Sequence, residues 1–161
     1  MLGALARWLR VLGVDTAYDP ALDDPELVER ALAEGRTLLT RDRRLVERRA
    51  LDGRHLLIVS EVVDEQVRQV LDAFGLAPGA ADLFRRCLRC NSALEDADAE
   101  AARRLVPPFV ARTQESFRRC PACDRLYWRG THALRMRRRL QRMGVLAAAD
   151  GDPTAPSRSP A

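Results

Sequence analysis

The four cysteines of the chain are the residues whose type and spacing most clearly indicate a chemical role. They form two pairs, Cys87-Leu-Arg-Cys90 and Cys120-Pro-Ala-Cys123, each with a two-residue gap and with twenty-nine residues between the pairs. A gap of this length lets both thiolates of a tight turn face one ion, and two such turns complete a tetrahedral sulfur shell. The spacing predicts a zinc site of the ribbon type from Cys87 to about Trp128.

Two disulfides or a redox-active pair are the alternatives for these cysteines. The first residues lack the basic segment, apolar segment and cleavage site of a secretion signal, so we expect a cytoplasmic protein, and the cytosol keeps thiols reduced. Two pairs of equal spacing without any other cysteine favour zinc over a single redox pair. We therefore expect one Zn²⁺ per chain, and its closed shell of four sulfurs makes it structural.

The charged residues divide the chain into an acidic and a basic part. Residues 103–142 contain twelve arginines and two acids, a net charge of +10, whereas residues 1–102 have a net charge of −5. A basic module beside an acidic one is typical of a nucleic-acid binder, and a solvated arginine-rich surface is the alternative. Apolar residues make up 47% of the chain without any run long enough to cross a bilayer, so we expect no membrane contact.

Helical and strand patterns alternate in the first half of the chain. Leu2, Leu5, Leu9 and Leu12 form a helical stripe that Gly13 ends. The patterns predict helices over 2–12, 24–34, 44–50 and 65–74, and strands over 14–18, 36–40 and 55–60. Strands that alternate with helices favour an α/β fold with a parallel sheet and helices packed on its faces.

Asp42 follows the strand expected at 36–40. In parallel sheets of this kind, functional groups gather at the carboxyl ends of the strands. Asp42 is therefore a candidate site residue, although an aspartate in this position can also cap the helix that follows.

The second half of the chain predicts a smaller module. Residues 75–81 have the composition of a linker, so we expect domains at 1–75 and 83–143. The second domain would combine the zinc ribbon with a basic last helix, and the charged stretch 95–104 would form an exposed helix or loop between the cysteine pairs. The composition of residues 144–161 predicts a disordered tail.

Taken together, these motifs resemble the family of the Mut-seven C-terminal RNase domain, in which a PIN-like nuclease fold precedes a zinc ribbon. The resemblance covers nearly the whole chain except the tail, and its segments occur in the family's order. They are Leu2–Gly13, Asp24–Leu27, Gly35–Asp42, Arg86–Asn91, Val106–Pro108, Phe117 with Cys120–Cys123, and Tyr127–His132.

The resemblance implies a metal-dependent endoribonuclease. In such a site, acidic residues hold one or two divalent ions, Mg²⁺ or Mn²⁺, which lower the pKa of water and stabilise charge on the phosphate. Asp42 and Asp24 match two of the family's metal carboxylates, with Asp23 as the nearest competitor of Asp24. The structural alternative is that Asp24 and Asp42 cap helices.

RNA is the partner that both the resemblance and the basic charge imply. Arg7 and Arg10 lie on the first helix, close to where a phosphate would approach in the resembled fold. Arg135, Arg138 and Arg139 lie on the basic last helix. We expect these five arginines to bind the substrate, and the alternative is that they are only solvated.

One segment of the family pattern is missing from the sequence. The pattern opens with a strand that ends in an aspartate just before the Leu-Gly of the first helix, whereas this chain starts at Met1. We therefore expect a three-layer PIN-like domain without its first strand, a gap or a new edge in the sheet, and a weaker metal site. A non-catalytic RNA-binding module and a protein-interaction adaptor are the alternatives to a ribonuclease. The sequence does not determine the RNA substrate, the choice of Mg²⁺ or Mn²⁺, or the oligomeric state.

Overall fold

The computed structural model describes residues 2–47, 51 and 53–147, and this part of the chain has a mixed α/β fold. The first six elements are α1 (Gly3–Val11), α2 (Asp24–Ala33), β1 (Leu38–Thr40), α3 (Arg43–Val46), β2 (His55–Leu57) and α4 (Val63–Ala73). The next six are β3 (Glu95–Ala97), α5 (Ala99–Arg103), α6 (Pro108–Thr113), β4 (Phe117–Arg119), β5 (Leu126–Tyr127) and α7 (Thr131–Arg142). Most of the expected tail, from residue 148 onwards, and the end of the helix expected at 44–50 lie outside the described residues.

Helix α1 has the predicted apolar stripe, and Gly13 ends it. Leu5 and Leu9 are each only 1% exposed. The N–H of Gly13 donates to the carbonyl of Arg10, and the N–H of Val14 donates to the carbonyl of Leu9, which is a Schellman motif. Gly13 has a φ of +82°, and a Cβ there would lie 2.5 Å from the carbonyl oxygen of Asp82. A side chain at this position would therefore strain the backbone and collide with the segment that leads to the cysteines.

The two strands of the first half pair in parallel, as predicted, with Leu38 opposite His55 and Thr40 opposite Leu57. Successive side chains of a strand point to opposite faces. Leu38 accordingly belongs to a small cluster with residues of α2 and α3, whereas Leu39 packs against a larger cluster that includes residues of α1 and α4. In the described residues this sheet consists of β1 and β2.

The strand expected at 14–18 is wrong, because these residues form a loop without strand pairing. Side chains from other elements bind its backbone. The N–H of Thr16 donates to Oδ1 of Asn91 at 3.0 Å, and its carbonyl accepts from Nε of Arg10 at 2.8 Å. Since these polar groups are satisfied without a neighbouring strand, nothing requires the loop to join the sheet.

The cysteine-containing module is built on a three-stranded antiparallel sheet in the order β3-β4-β5. The stretch 95–104, expected as an exposed helix or loop, instead contributes the edge strand β3 as well as helix α5. Its acids meet arginines across the strands, since Asp96 lies opposite Arg118 and their side chains are 3.4 Å apart. Opposite charges on facing strands favour this pairing, which the charge pattern of the sequence did not reveal.

Helix α7 packs into the core of the first half of the chain. Met136 and Leu140 of α7 are buried in the cluster that contains the core residues of α1 and α4, together with Met143 and Leu146. On the same helix, Nε of Arg139 donates to Oδ1 of Asp64 at 3.0 Å. The basic helix, which the sequence assigned to the zinc module, thus packs against the first half of the chain. The two domains expected at 1–75 and 83–143 stay a prediction.

We predict that Leu140→Ala destabilises the whole protein. Leu140 is fully buried in the shared cluster, and truncating a buried leucine to alanine costs about 2–5 kcal/mol of unfolding free energy. Leu134→Ala on the same helix is the matched control, because Leu134 is 52% exposed and its truncation should cost about 0.5 kcal/mol or less. Urea unfolding followed by circular dichroism measures both values. Equal effects of the two substitutions would contradict the packing of α7 into this core.

Candidate metal centre and candidate catalytic cleft

Each cysteine pair forms the same tight turn. In the first, the N–H of Asn91 donates to the carbonyl of Cys87, and in the second, the N–H of Asp124 donates to the carbonyl of Cys120. Asn91 and Asp124 directly follow the second cysteine of each pair and have φ values of +71° and +57°. Asparagine and aspartate adopt this left-handed conformation more easily than other residues with side chains. The two turns therefore share the cysteine spacing, the backbone hydrogen bond and a left-handed Asn or Asp after the second cysteine.

The four sulfur atoms lie together at the meeting point of the two turns. All of them lie within 4.8 Å of one another, and in the described residues no other group of three or more Cys, His, Asp or Glu ligand atoms does so. The Sγ atoms are 3.4 Å apart for Cys90 and Cys120 and 3.6 Å apart for Cys87 and Cys123. A Zn–S bond of about 2.3 Å in a tetrahedron places sulfurs about 3.8 Å apart. The cluster can therefore hold a metal ion such as zinc.

The side chain of Tyr127 binds two residues of the first cysteine turn. Its hydroxyl group donates to Sγ of Cys87 at 3.1 Å, and its oxygen accepts from the N–H of Leu88 at 3.1 Å. Burial opposes ionisation of Cys87, but the hydrogen bonds from Tyr127 and from backbone N–H groups outweigh it and lower the pKa of this thiol to about 6. Burial raises the pKa of Cys120 to about 12. Cys87 therefore becomes thiolate more easily than Cys120.

Arg10 connects helix α1 to the first cysteine turn. Its Nη1 donates to the carbonyl of Leu88 at 3.1 Å and to the carbonyl of Arg89 at 2.9 Å, while its Nε donates to Thr16. The residue is only 5% exposed, and this burial lowers the pKa of its guanidinium, although the nearby Cys87 and Cys90 oppose the shift. The guanidinium is thus bound to backbone carbonyls. The contact of Arg10 with substrate stays a prediction. Its bonds also position the first cysteine turn against α1.

A cleft of about 740 Å³ brings together the two acids that the resemblance singled out. Asp24 at the start of α2 and Asp42 after β1 both line it. Its remaining surface is largely apolar and includes Leu5, Leu9 and Leu38. The walls of the cleft thus include β1, α1 and α2, and Asp42 directly follows the carboxyl end of β1.

The two acids differ in whether they cap a helix. Asp42 caps α3, because its Oδ1 accepts from the N–H of Arg44 at 2.8 Å. Helix α2 is capped by Asp23, which forms a reciprocal capping box with Glu26. Asp24 therefore has no capping role, and the structural alternative applies to Asp42 but not to Asp24.

Two further acids, Asp15 and Asp19, line the same cleft and were missed by the sequence reasoning. Both lie in the segment between α1 and α2, which was expected to be a strand and a connection. Asp15 accepts from Nη1 of Arg36 at 2.9 Å, and this bond lowers the pKa of its carboxyl group. No three carboxylates in the described part of the chain bring oxygen atoms within 4.8 Å of one another. The acids therefore line the cleft without forming a closed cluster of ligands.

The five predicted substrate arginines fall into two groups. Arg10 and Arg139 are committed to other parts of the fold, since Arg139 binds Asp64 and also lies over the ring of Trp8 at 5.0 Å. Arg7, Arg135 and Arg138 are exposed. Arg7 contacts His132 at 3.4 Å, and Arg135 and Arg138 form no ion pair or side-chain hydrogen bond with any described residue. Only this second group is open to a ligand.

The fold and the site together define an α/β protein with a cleft lined by four aspartates, here called the acidic cleft, and with four cysteines on an antiparallel ribbon that can hold a metal ion. The family model of the Mut7-C RNAse domain matches residues 1–140, and the chain therefore belongs to this family. Membership suggests a nuclease or another RNA-related function. Neither a search of the curated proteins nor a search of the solved structures found a match. Among the described residues, no helix has both the length and the apolar character needed to cross a membrane.

We predict that the four sulfurs bind one zinc ion per chain and that Cys120→Ser removes it. Metal sites of this kind are seldom preformed, so the free energy of binding is also free energy of folding. Elemental analysis should give one zinc per parent chain and much less in the variant, whose thermal midpoint should also fall. Tyr127→Phe is the graded comparison, because it keeps four sulfurs and removes only the bonds of the hydroxyl group to Cys87 and to the N–H of Leu88. It should retain zinc but weaken the affinity by about 10- to 100-fold in a chelator competition.

Two outcomes would contradict this assignment. One is a parent protein that is purified without metal and does not become more stable when zinc is added. The other is a Cys120→Ser variant that is as stable and as zinc-loaded as the parent.

Proposed function

We propose that this protein is a metal-dependent endoribonuclease, with Asp42 and Asp24 as its catalytic metal ligands and with a structural zinc ion in its ribbon. The observation that carries the proposal is that these two acids, eighteen residues apart in sequence, line one cleft, with Asp42 directly after the carboxyl end of β1. Functional groups collect at this edge in sheets with parallel strands. Membership in the Mut7-C RNAse domain family supports the same reaction class.

The packing on both faces of β1 supports a PIN-like layered domain. Leu38 is buried against α2 and α3, and Leu39 packs against the cluster of α1, α4 and α7. Helices on both sides of a parallel sheet form the three layers that the family resemblance implies.

The acids fit a divalent cation even though they form no closed cluster. Mg²⁺ usually keeps several waters and is held by one or two carboxylates together with substrate phosphate oxygens. Asp42 and Asp24 would provide the carboxylates, and Asp19 lines the same cleft. When bound, the ion lowers the pKa of a coordinated water and stabilises charge on the phosphate. An open set of carboxylates binds such an ion weakly until the substrate contributes its own oxygens.

RNA binding would use the exposed arginines near the end of the chain. Arg135 and Arg138 lie on α7, which is anchored through Met136 and Leu140 and therefore presents them on a fixed helix. A closed shell of four sulfurs leaves zinc no open position, so its role is to hold the ribbon together. We expect the protein to act in the cytoplasm, where its thiols stay reduced.

We predict that Arg135→Ala combined with Arg138→Ala weakens RNA binding and flattens its salt dependence. Each contact with a single-strand phosphate contributes about −0.7 to the slope of log K against log salt, so losing two should reduce the slope by about 1.4. Arg104→Ala is the control, because Arg104 is 80% exposed and lies near Glu100. Fluorescence anisotropy with a labelled single-stranded RNA at several salt concentrations gives the slopes. A double variant with the parent's slope would remove α7 from the RNA surface.

We also predict that Asp42→Asn abolishes cleavage and leaves RNA affinity nearly unchanged. Asparagine caps helices as well as aspartate does, so α3 should persist, whereas an amide is a poor ligand for the ion. Losing a ligand that supports several kcal/mol of transition-state stabilisation should slow cleavage by more than about 100-fold. Asp23→Asn is the matched control, since Asp23 caps α2 and does not line the cleft. Gel analysis of a labelled RNA with Mn²⁺ or Mg²⁺ measures the rates.

The outcomes separate the proposed enzyme from its alternatives. Full activity of Asp42→Asn would refute the catalytic assignment. RNA binding without cleavage by the parent protein would favour the RNA-binding module, which the open arrangement of the carboxylates also fits. An adaptor is favoured by a different feature, the exposed apolar side chains of Leu105 and Phe109, and would show neither RNA binding nor cleavage.

A further inference from the structure

A second cavity, of about 350 Å³, lies between the first half of the chain and the first cysteine turn. Five of its eleven lining residues are arginines, namely Arg10, Arg30, Arg36, Arg86 and Arg89. Asp15 is the one acid among these lining residues. We call this cavity the arginine pocket. A concave surface lined by charge of one sign focuses the electrostatic potential and concentrates ligands of the opposite sign.

The fold holds these arginines in place and leaves donors free. Arg36 binds Asp15 and Glu34, and Arg86 donates to the carbonyls of Gly13 and Asn91. Arg30 binds Glu34 through Nε alone. A guanidinium has five N–H donors, so both terminal nitrogens of Arg30 and one of Arg36 have no partner among the described residues. Preorganised donors of this kind bind an anion with little further loss of side-chain freedom.

Arg89 is the least committed of the five. It occupies the second middle position of the first cysteine turn, is exposed, and forms no side-chain hydrogen bond or ion pair within the described part of the chain. Its backbone is fixed by the bond from Arg10 to its carbonyl. The metal site thus positions Arg86 and Arg89, while α2 and its following turn provide Arg30 and Arg36.

The arginine pocket adjoins the acidic cleft. Asp15, Ala17, Tyr18, Arg30 and Arg36 line both cavities. Neighbouring phosphates of one strand could therefore reach the cleft and the pocket. Phosphate groups are the natural ligands of converging guanidinium groups, because two parallel N–H bonds match two phosphate oxygens.

We propose that the arginine pocket binds an internal phosphodiester of the RNA strand, on the strand next to the phosphate that lies in the acidic cleft. The inference rests on the proposed function in taking RNA as the substrate. It adds Arg30, Arg36 and Arg89 to the substrate contacts, and it gives the zinc ribbon a direct role in holding the strand. Arg86 adds positive charge, while its guanidinium binds the carbonyls of Gly13 and Asn91 and lies 3.5 Å from Asp15. Arg10 acts as a positioning residue through the carbonyls of the first cysteine turn.

The test is RNA binding by an Arg30→Ala, Arg89→Ala double variant. The probe is a fluorescein-labelled single-stranded RNA, and anisotropy is measured without Mg²⁺ or Mn²⁺ at several salt concentrations. Two lost charge-assisted contacts should weaken binding by at least about 10-fold and reduce the salt slope by about 1.4. The matched control is Arg125→Ala, an exposed arginine after the second cysteine turn that does not line the pocket. Its affinity should stay within about twofold of the parent's.

Further arms separate the possible failures. Arg89→Lys should recover part of the salt slope, because it restores the charge without the two-pronged geometry. RNAs with a 5′-phosphate and with a 5′-hydroxyl should lose affinity equally, and a loss confined to the 5′-phosphate would overturn the internal assignment. If the double variant loses zinc or folded structure, Arg89→Ala alone decides the matter, and parent-like binding by that variant would overturn the proposal.

Cleavage by the same proteins distinguishes this inference from the proposed function. A double variant that cleaves RNA with the parent's KM would overturn the arginine pocket and leave the ribonuclease standing. Weakened binding in a protein that never cleaves RNA would support the pocket and overturn the ribonuclease.

Discussion

One buried guanidinium fixes how the two halves of this protein meet. Arg10 projects from α1 and binds the carbonyls of Thr16, Leu88 and Arg89, which lie in the loop before α2 and in the first cysteine turn. A buried charge is costly unless its hydrogen bonds are satisfied, and here backbone oxygens satisfy them. The bonds therefore hold α1, the loop beside the cleft and the first turn of the metal site in one arrangement. Arg10 itself lines the arginine pocket, and Thr16, whose carbonyl it binds, lines the acidic cleft.

Apolar burial reinforces the same junction from the other end of the chain. Leu140 and Met136 of α7 share a core with residues of α1 and α4, so the first half of the chain is completed by a helix that follows the ribbon. A metal ion bound by the four cysteines would thus stabilise more than the small sheet, because the segment it organises lies between two parts of one core.

The sequence predicted what depends on local spacing and missed what depends on distant partners. The paired cysteines predicted the metal cluster, because ligand geometry follows from a two-residue gap, and the leucine period predicted α1. The pattern of residues 14–18 suggested a strand, since nothing local shows that Arg10 and Asn91 bind the backbone of Thr16. The burial of Arg10 was equally hidden, because a helical arginine beside an apolar stripe usually extends to solvent. The clefts could not be predicted either, since their walls come from elements far apart in the chain.

The distribution of charged residues also depends on contacts between distant parts of the chain. Counted by segment, residues 1–102 are acidic with a net charge of −5, and this count placed the expected RNA contacts on the basic end of the chain. Only the family resemblance added Arg7 and Arg10 of the first helix. Electrostatic forces act over about 8–10 Å in physiological salt and take no account of chain position. In space, Arg30, Arg36, Arg86 and Arg89, all from the acidic part, line one pocket, and Arg30 and Arg36 also line the cleft of Asp24 and Asp42. Carboxylates alone would repel a polyanion, and neighbouring guanidinium groups offset that repulsion without neutralising the acids. In the proposed function, the carboxylates would therefore stay available to a cation next to the bound strand.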